Sequence, residues 1–178
     1  MVLLVVDTQE ELINEYLYQC VNFLENVRNL INTARASNVE VIYVMHDDGP
    51  YSNMTKGKIG FDICNNIKPK NNEKVFIKYV NSPFKETGLL DYLKSKCEKD
   101  IIVIGLHTDK CINAAVICGF EHDFNIIVPI EANSTEDNTF MPAIKSWQYY
   151  NKFMWPNRYA RCISVDEAIN IIKEKNKL

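Results

Sequence analysis

The run Ile101-Ile102-Val103-Ile104-Gly105-Leu106-His107-Thr108-Asp109-Lys110-Cys111 constrains the fold more than any other stretch of this chain. Its first four residues are all β-branched, which suits a strand buried on both faces, the environment of a central parallel strand. Gly105 permits a tight turn after that strand, and Thr108 is a good N-cap residue followed by an acid, so a helix is expected to begin there. Counted from Thr108, Cys111 falls at N3, beside the unpaired amides and the positive end of the helix dipole, a placement that predicts a favoured thiolate. An isolated cysteine on an apolar helix ordinarily serves as a small buried hydrophobe. Open α/β sheets, however, bind their ligands at the carboxyl ends of their strands. Cys111 lies in that layer, so its partners are sought in the same layer.

The rest of the chain supplies the other strands. Residues 2–6 form a continuous apolar run closed by Asp7, and Val21, Leu24, Val27, Leu30, Ile31 and Ala34 then repeat at helical spacing. Residues 39–45 read as a second strand, leading into His46-Asp47-Asp48 and a long loop punctuated by Gly57 and Gly60. A short strand over 74–78 ends in Lys78, Pro83 marks a turn, and Leu89, Leu90, Tyr92 and Leu93 mark a helix. After the Cys111 helix come a strand over 124–128, a helix near 139–152 and a brief strand over 161–163. A last helix starts from Ser164, with Glu167 placed to complete a capping box. Strand and helix alternate throughout, which predicts an α/β fold: a doubly wound, six-stranded parallel sheet with helices on both faces and right-handed crossovers.

A chain of 178 residues suits one domain, here 1–178, with a sizeable core. Its 47% hydrophobic content and net charge of -3 exclude a disordered chain and offer no basic surface for nucleic acid. The apolar N-terminus lacks a basic flank and a cleavage site, and no stretch approaches the roughly 20 apolar residues that span a bilayer. No membrane partner and a cytoplasmic location are therefore expected. In that compartment the six cysteines would be reduced. Cys111 and Cys118, seven residues apart on one helix, would lie about 10 Å from each other, too far to bridge. Lys173, Lys175 and Lys177 read as a solvated helix end. No G-x-G-x-x-G or Walker motif follows any strand, which disfavours nucleotide binding.

Asp7, Lys78 and Cys111 each stand at a strand exit, and together they supply a base, a cation and a thiol. With these residues the chain resembles the isochorismatase-like cysteine hydrolases, the superfamily that includes nicotinamidases and N-carbamoylsarcosine amidohydrolases. Val5-Val6-Asp7-Thr8-Gln9 resembles its opening motif, Gly57-Lys58-Ile59-Gly60 its glycine turn, and Lys78 to Ser82 with Phe84, Thr87 and Leu89 its lysine motif. The segment Gly105 to Cys111 is the most specific match.

The resemblance implies a cis peptide between Leu106 and His107, an oxyanion hole from the backbone amides of His107 and Cys111, and amide cleavage by Cys111 with Asp7 as base and Lys78 as electrostatic support. It also implies a homodimer or homotetramer, for which the aromatic cluster Trp147, Tyr149, Tyr150, Phe153, Met154, Trp155 and Tyr159 would supply the contact. Nicotinamidases hold a metal with an Asp-x-His pair and a further histidine; here the region offers only His46-Asp47-Asp48, so no metal and no other cofactor is expected. His46, Tyr51 and Asn53 are the expected substrate-binding residues. Two other functions fit the same motifs: an ether hydrolase in which Asp7 does the work, and a non-catalytic thiol sensor that exposes Cys111.

Overall fold

Val2–Val6 (β1) is a run of five aliphatic residues with no exposed face, so it can sit only where both sides of a sheet are covered. It pairs in parallel with Glu40–His46 (β2) on one side and Asp100–Leu106 (β4) on the other, with Val6 opposite both Val44 and Gly105. The structure, a computed structural model, describes residues 1–175; Lys177 lies outside the described residues.

Lys74–Lys78 (β3) continues the sheet beyond β2, while Asn125–Pro129 (β5) and Arg161–Ile163 (β7) extend it beyond β4. The order is β3-β2-β1-β4-β5-β7, all parallel. A two-residue strand, Asn133–Ser134 (β6), also pairs with the carboxyl end of β4, so the six expected strands become seven. The chain winds outward one way from β1 and the other way from β4, which puts the switch of direction between those two strands.

Helices cover both faces. Cys20–Ala36 (α1) and Val165–Lys175 (α5) pack on one side, with Phe23, Val27, Leu30, Ile31, Ala168 and Ile172 buried against Leu3, Val5, Ile102 and Ile104. On the other side Leu89–Ser95 (α2) and Asn113–Glu121 (α3) bury Leu89, Leu93, Ala115 and Val116 against Val2, Leu4, Ile101 and Val103. Alternate residues of each central strand thus feed opposite cores. Val21, read as part of the α1 stripe, is instead 79% exposed. A spacing of three drifts about 60° per step around a helix, so two steps back from Val27 it has left the buried arc.

Other expectations change in detail. Gly105 lies inside β4 and not in a turn; it has φ +124°, and a Cβ there would meet the Val6 carbonyl oxygen at 2.0 Å. Close approach of β1 is what requires glycine. The helix expected over 139–152 is shorter, Ala143–Tyr149 (α4), followed by one wide turn over Tyr150–Met154. Ser164 does cap α5, accepting the Glu167 amide at 3.2 Å, but the Glu167 carboxylate pairs with Arg161. No described helix is long and apolar enough to cross a membrane.

Candidate active site

Four adjacent strands end at one rim, and in sheet order they deliver Lys78 from β3, His46 from β2, Asp7 from the end of β1 and, beyond β4, Cys111. Asp7 has φ 51°, a left-handed conformation that aspartate tolerates better than most residues, while its amide still donates to Val44 O at 2.9 Å. The chain thus turns away from the sheet with the carboxylate left at the rim. Lys78 is fully buried, and its Nζ stands 2.8 Å from Asp7 Oδ2, 2.8 Å from His46 Nδ1 and 3.1 Å from Cys111 Sγ. Each proton of the ammonium therefore has one acceptor.

Cys111 sits in a wide helical turn, Thr108–Ile112, that precedes α3, and the Leu106–His107 peptide before it is cis. Thr108 is not the cap expected of it: His107 opens the turn, and the Thr108 hydroxyl donates to Asn133 Oδ1 at 2.7 Å. Asn133 Nδ2 in turn reaches Asn151 Oδ1 at 2.9 Å, so buried amides underpin the turn from two distant segments. The amides of Lys110 and Ile112 both donate to His107 O at 3.1 Å.

Burial governs the electrostatics. It pushes the Cys111 thiol up to about 12, with the Asp7 charge adding to the effect and Lys78 opposing it. Removal from water thus works against the thiolate that a helix terminus would favour. Burial also raises Asp7 above its usual 3.8, against the pull of Lys78 and the neighbouring thiol. Asp7 Oδ1 is buried without a hydrogen-bond partner among the described residues, which leaves one basic oxygen unengaged. His107 is held down at about 4, chiefly by burial and then by Lys110.

The expected substrate contacts fare differently. His46 commits both ring nitrogens to protein, Nδ1 to Lys78 and Nε2 to Asp48 Oδ1 at 3.2 Å, so neither is free for a substrate. Tyr51 is fully exposed, and Asn53 donates to Glu11 Oε1 at 3.3 Å; neither bonds to the Asp7-Lys78-Cys111 trio. The loop carries both side chains outward.

Two residues were not singled out from the sequence. Asn81, at the exposed lip, accepts from the Cys111 thiol at 3.6 Å. Gln9, fully buried, donates to His46 O at 2.9 Å and Phe61 O at 3.0 Å and accepts the His46 amide at 2.7 Å, clamping the end of β2. Both lie within the quoted motifs, but only the loop path reveals what they touch. Asp7, His46 and Cys111 each offer a donor atom within 4.8 Å of the others, a set that could hold a metal only if Lys78 vacated it. A surface hollow of about 670 Å³, lined by Phe120, Phe124, Arg158 and Arg161 among others, lies at the opposite rim and includes none of the trio.

The doubly wound parallel sheet defines an α/β chain of the three-layer kind, and residues 1–148 match the isochorismatase domain model. The protein belongs to the isochorismatase family of hydrolases. It is 25% identical over 144 residues to a streptothricin hydrolase of Streptomyces noursei, covering 80% of this chain and 52% of that protein. To the isochorismatase family protein YrdC of Bacillus subtilis it is 32% identical over 90 residues, 50% of this chain and 48% of that one. The matches thus span about half the length of these relatives. Among solved structures, a cysteine hydrolase from Pseudomonas syringae pv. phaseolicola superposes with TM-score 0.90 at 20% identity over 98% of this chain and 92% of that one. N-carbamoylsarcosine amidase from Thermoplasma acidophilum gives 0.76 at 23% identity over 93% and 96%. At these identities the likeness is one of fold.

Proposed function

We propose that the protein is a metal-independent cysteine hydrolase that cleaves a carbon-nitrogen bond of a small amide. The observation that carries this reading is the meeting of Asp7, Lys78 and Cys111 at hydrogen-bond distances on one ammonium. A raised thiol does not oppose it. With one fixed cation, the rim supports one anion: Asp7 in the resting state, or Cys111 once its proton has moved to Asp7 Oδ1. The transfer conserves charge beside Lys78.

The thiolate would then add to the substrate carbonyl carbon, and the backbone amides of His107 and Cys111 would receive the oxyanion. Collapse of that adduct breaks the carbon-nitrogen bond; Asp7 returns its proton to the departing amine or ammonia, leaving a thioester on Cys111. Asp7, again ionised, takes a proton from water as the water attacks the thioester, and the acid product and the thiol are released. Cys111 is only 8% exposed, which suits a small substrate.

A panel of small amides, assayed for amine or ammonia release, tests the proposal. Turnover by the native protein that Cys111→Ser abolishes supports it; turnover that survives Cys111→Ser, or activity confined to vinyl ethers, overturns it.

The chain is also proposed to form a homodimer or homotetramer. Trp147 and Trp155 of the aromatic cluster are internal, but Phe153 is 72% exposed, Tyr149 43% and nearby Phe140 93%. A monomer in sedimentation at micromolar concentration would refute assembly.

A further inference from the structure

His46 stands between Lys78 and solvent, and nothing in the proposed chemistry uses it. Its backbone is fixed by β2 pairing and by the Gln9 side chain, which takes both its amide, at 2.7 Å, and its carbonyl, at 2.9 Å. The ring therefore has little freedom to move. Its Nδ1 lies 2.8 Å from Lys78 Nζ. An ammonium can only donate, so Nδ1 must accept, the ring proton must be on Nε2, and Nε2–H donates to Asp48 Oδ1.

We propose that His46 is a positioning residue for Lys78: it accepts the one ammonium proton that neither Asp7 nor Cys111 takes, and so aims the other two at them. The inference rests on the hydrolase reading above and deepens it. Lys78 reaches Asp7 from two strands away and Cys111 from three, on an unbranched stem that would otherwise permit rotation about its last bonds. A buried ammonium with one unsatisfied proton would turn toward another acceptor, or lose the proton, and either change removes support from the Cys111 thiolate. Asp48 acts one step further out. Its carboxylate is 58% exposed and selects the tautomer in which Nδ1 is the acceptor.

The test compares His46→Asn, His46→Gln and His46→Leu in the full chain, reading the iodoacetamide alkylation rate at Cys111 together with kcat and KM on any amide the native protein cleaves. Asparagine can place Oδ1 close to where Nδ1 stands; glutamine reaches toward the Nε2 position; leucine offers no acceptor. His46→Leu should slow alkylation and kcat by roughly tenfold or more, the scale of a lost hydrogen bond to a charged group, with KM little changed. His46→Asn should recover most of that loss, and His46→Gln less.

Asp48→Ala, at an exposed carboxylate, should slow alkylation by only a few fold. If His46→Leu does not fold, the comparison of Asn with Gln decides alone. Equal rates in those two variants, or a folded Leu variant that matches the native protein, would overturn the proposal. Because alkylation needs no substrate, a native protein that alkylates rapidly but cleaves no amide would sink the hydrolase reading while leaving the role of His46 measurable.

Discussion

Lys78 Nζ lies 3.1 Å from Cys111 Sγ although β2 and β1 separate the strand that carries the lysine from the strand that leads to the cysteine. The lysine arm spans that distance entirely out of water, and on the way it pairs with Asp7 at 2.8 Å. Lys78→Met would keep the stem and remove the charge, leaving the Asp7 carboxylate buried without its cation. The expected cost is about 3–5 kcal/mol of stability, measured by urea unfolding near neutral pH, together with loss of amide turnover.

Asp7→Asn leaves a side chain of the same shape that can accept no proton from the thiol. Turnover is expected to fall by about a hundredfold to ten-thousandfold, the range for loss of a general base, with circular dichroism unchanged. Turnover within a few fold of the native value would remove Asp7 from the mechanism.

His107 gives the fold an acid-sensitive point. Its imidazole is held at about 4 in the folded chain against 6.5 unfolded, mainly because it is buried. Between those values the unfolded state binds the proton first, so this contribution to stability is complete above pH 6.5 and is lost as pH falls toward 4. The shift corresponds to about 3 kcal/mol. His107→Gln should flatten the pH dependence of unfolding free energy across that window, which denaturant titrations at pH 7, 5.5 and 4 would show.

Gly105→Ala tests the contact between the two central strands. A Cβ would meet Val6 O at 2.0 Å, and φ +124° is strained for any side chain. Both partners are backbone, so neither can swing aside, and a loss of more than about 4 kcal/mol or failure to fold is expected. A thermal midpoint within a few degrees of the native one would show that β1 and β4 are further apart than described.

Much of this was legible in the sequence, for reasons that differ by residue. The bounds of β1 and β3 follow from short runs that stop at a charged side chain, and Asp7, Lys78 and Cys111 stand out because each lies at or just past the end of a strand. Gly105 looked like a turn because the backbone that crowds it belongs to a strand 99 positions earlier, opposite Val6. Thr108 looked like a cap because local sequence cannot show that Asn133, 25 residues on, takes its hydroxyl. The part played by His46 depends on the β2-β3 register, which sets it opposite Lys78, and so could be read only as a residue near the rim. Tyr51 and Asn53 follow His46 closely in sequence; in the structure Tyr51 is exposed and Asn53 bonds to Glu11, contacts that spacing alone does not show.

In the proposed mechanism the buried Cys111 thiol becomes reactive because Asp7 accepts its proton and Lys78 balances the charge that burial resists. Brief exposure to iodoacetamide near neutral pH, with peptide mapping of all six cysteines, tests it most directly. Cys111, 8% exposed, should label faster than the exposed Cys97, and Asp7→Asn should remove that advantage. Labelling of Cys97 ahead of a silent Cys111, or a Cys111 rate untouched by Asp7→Asn, would contradict the account.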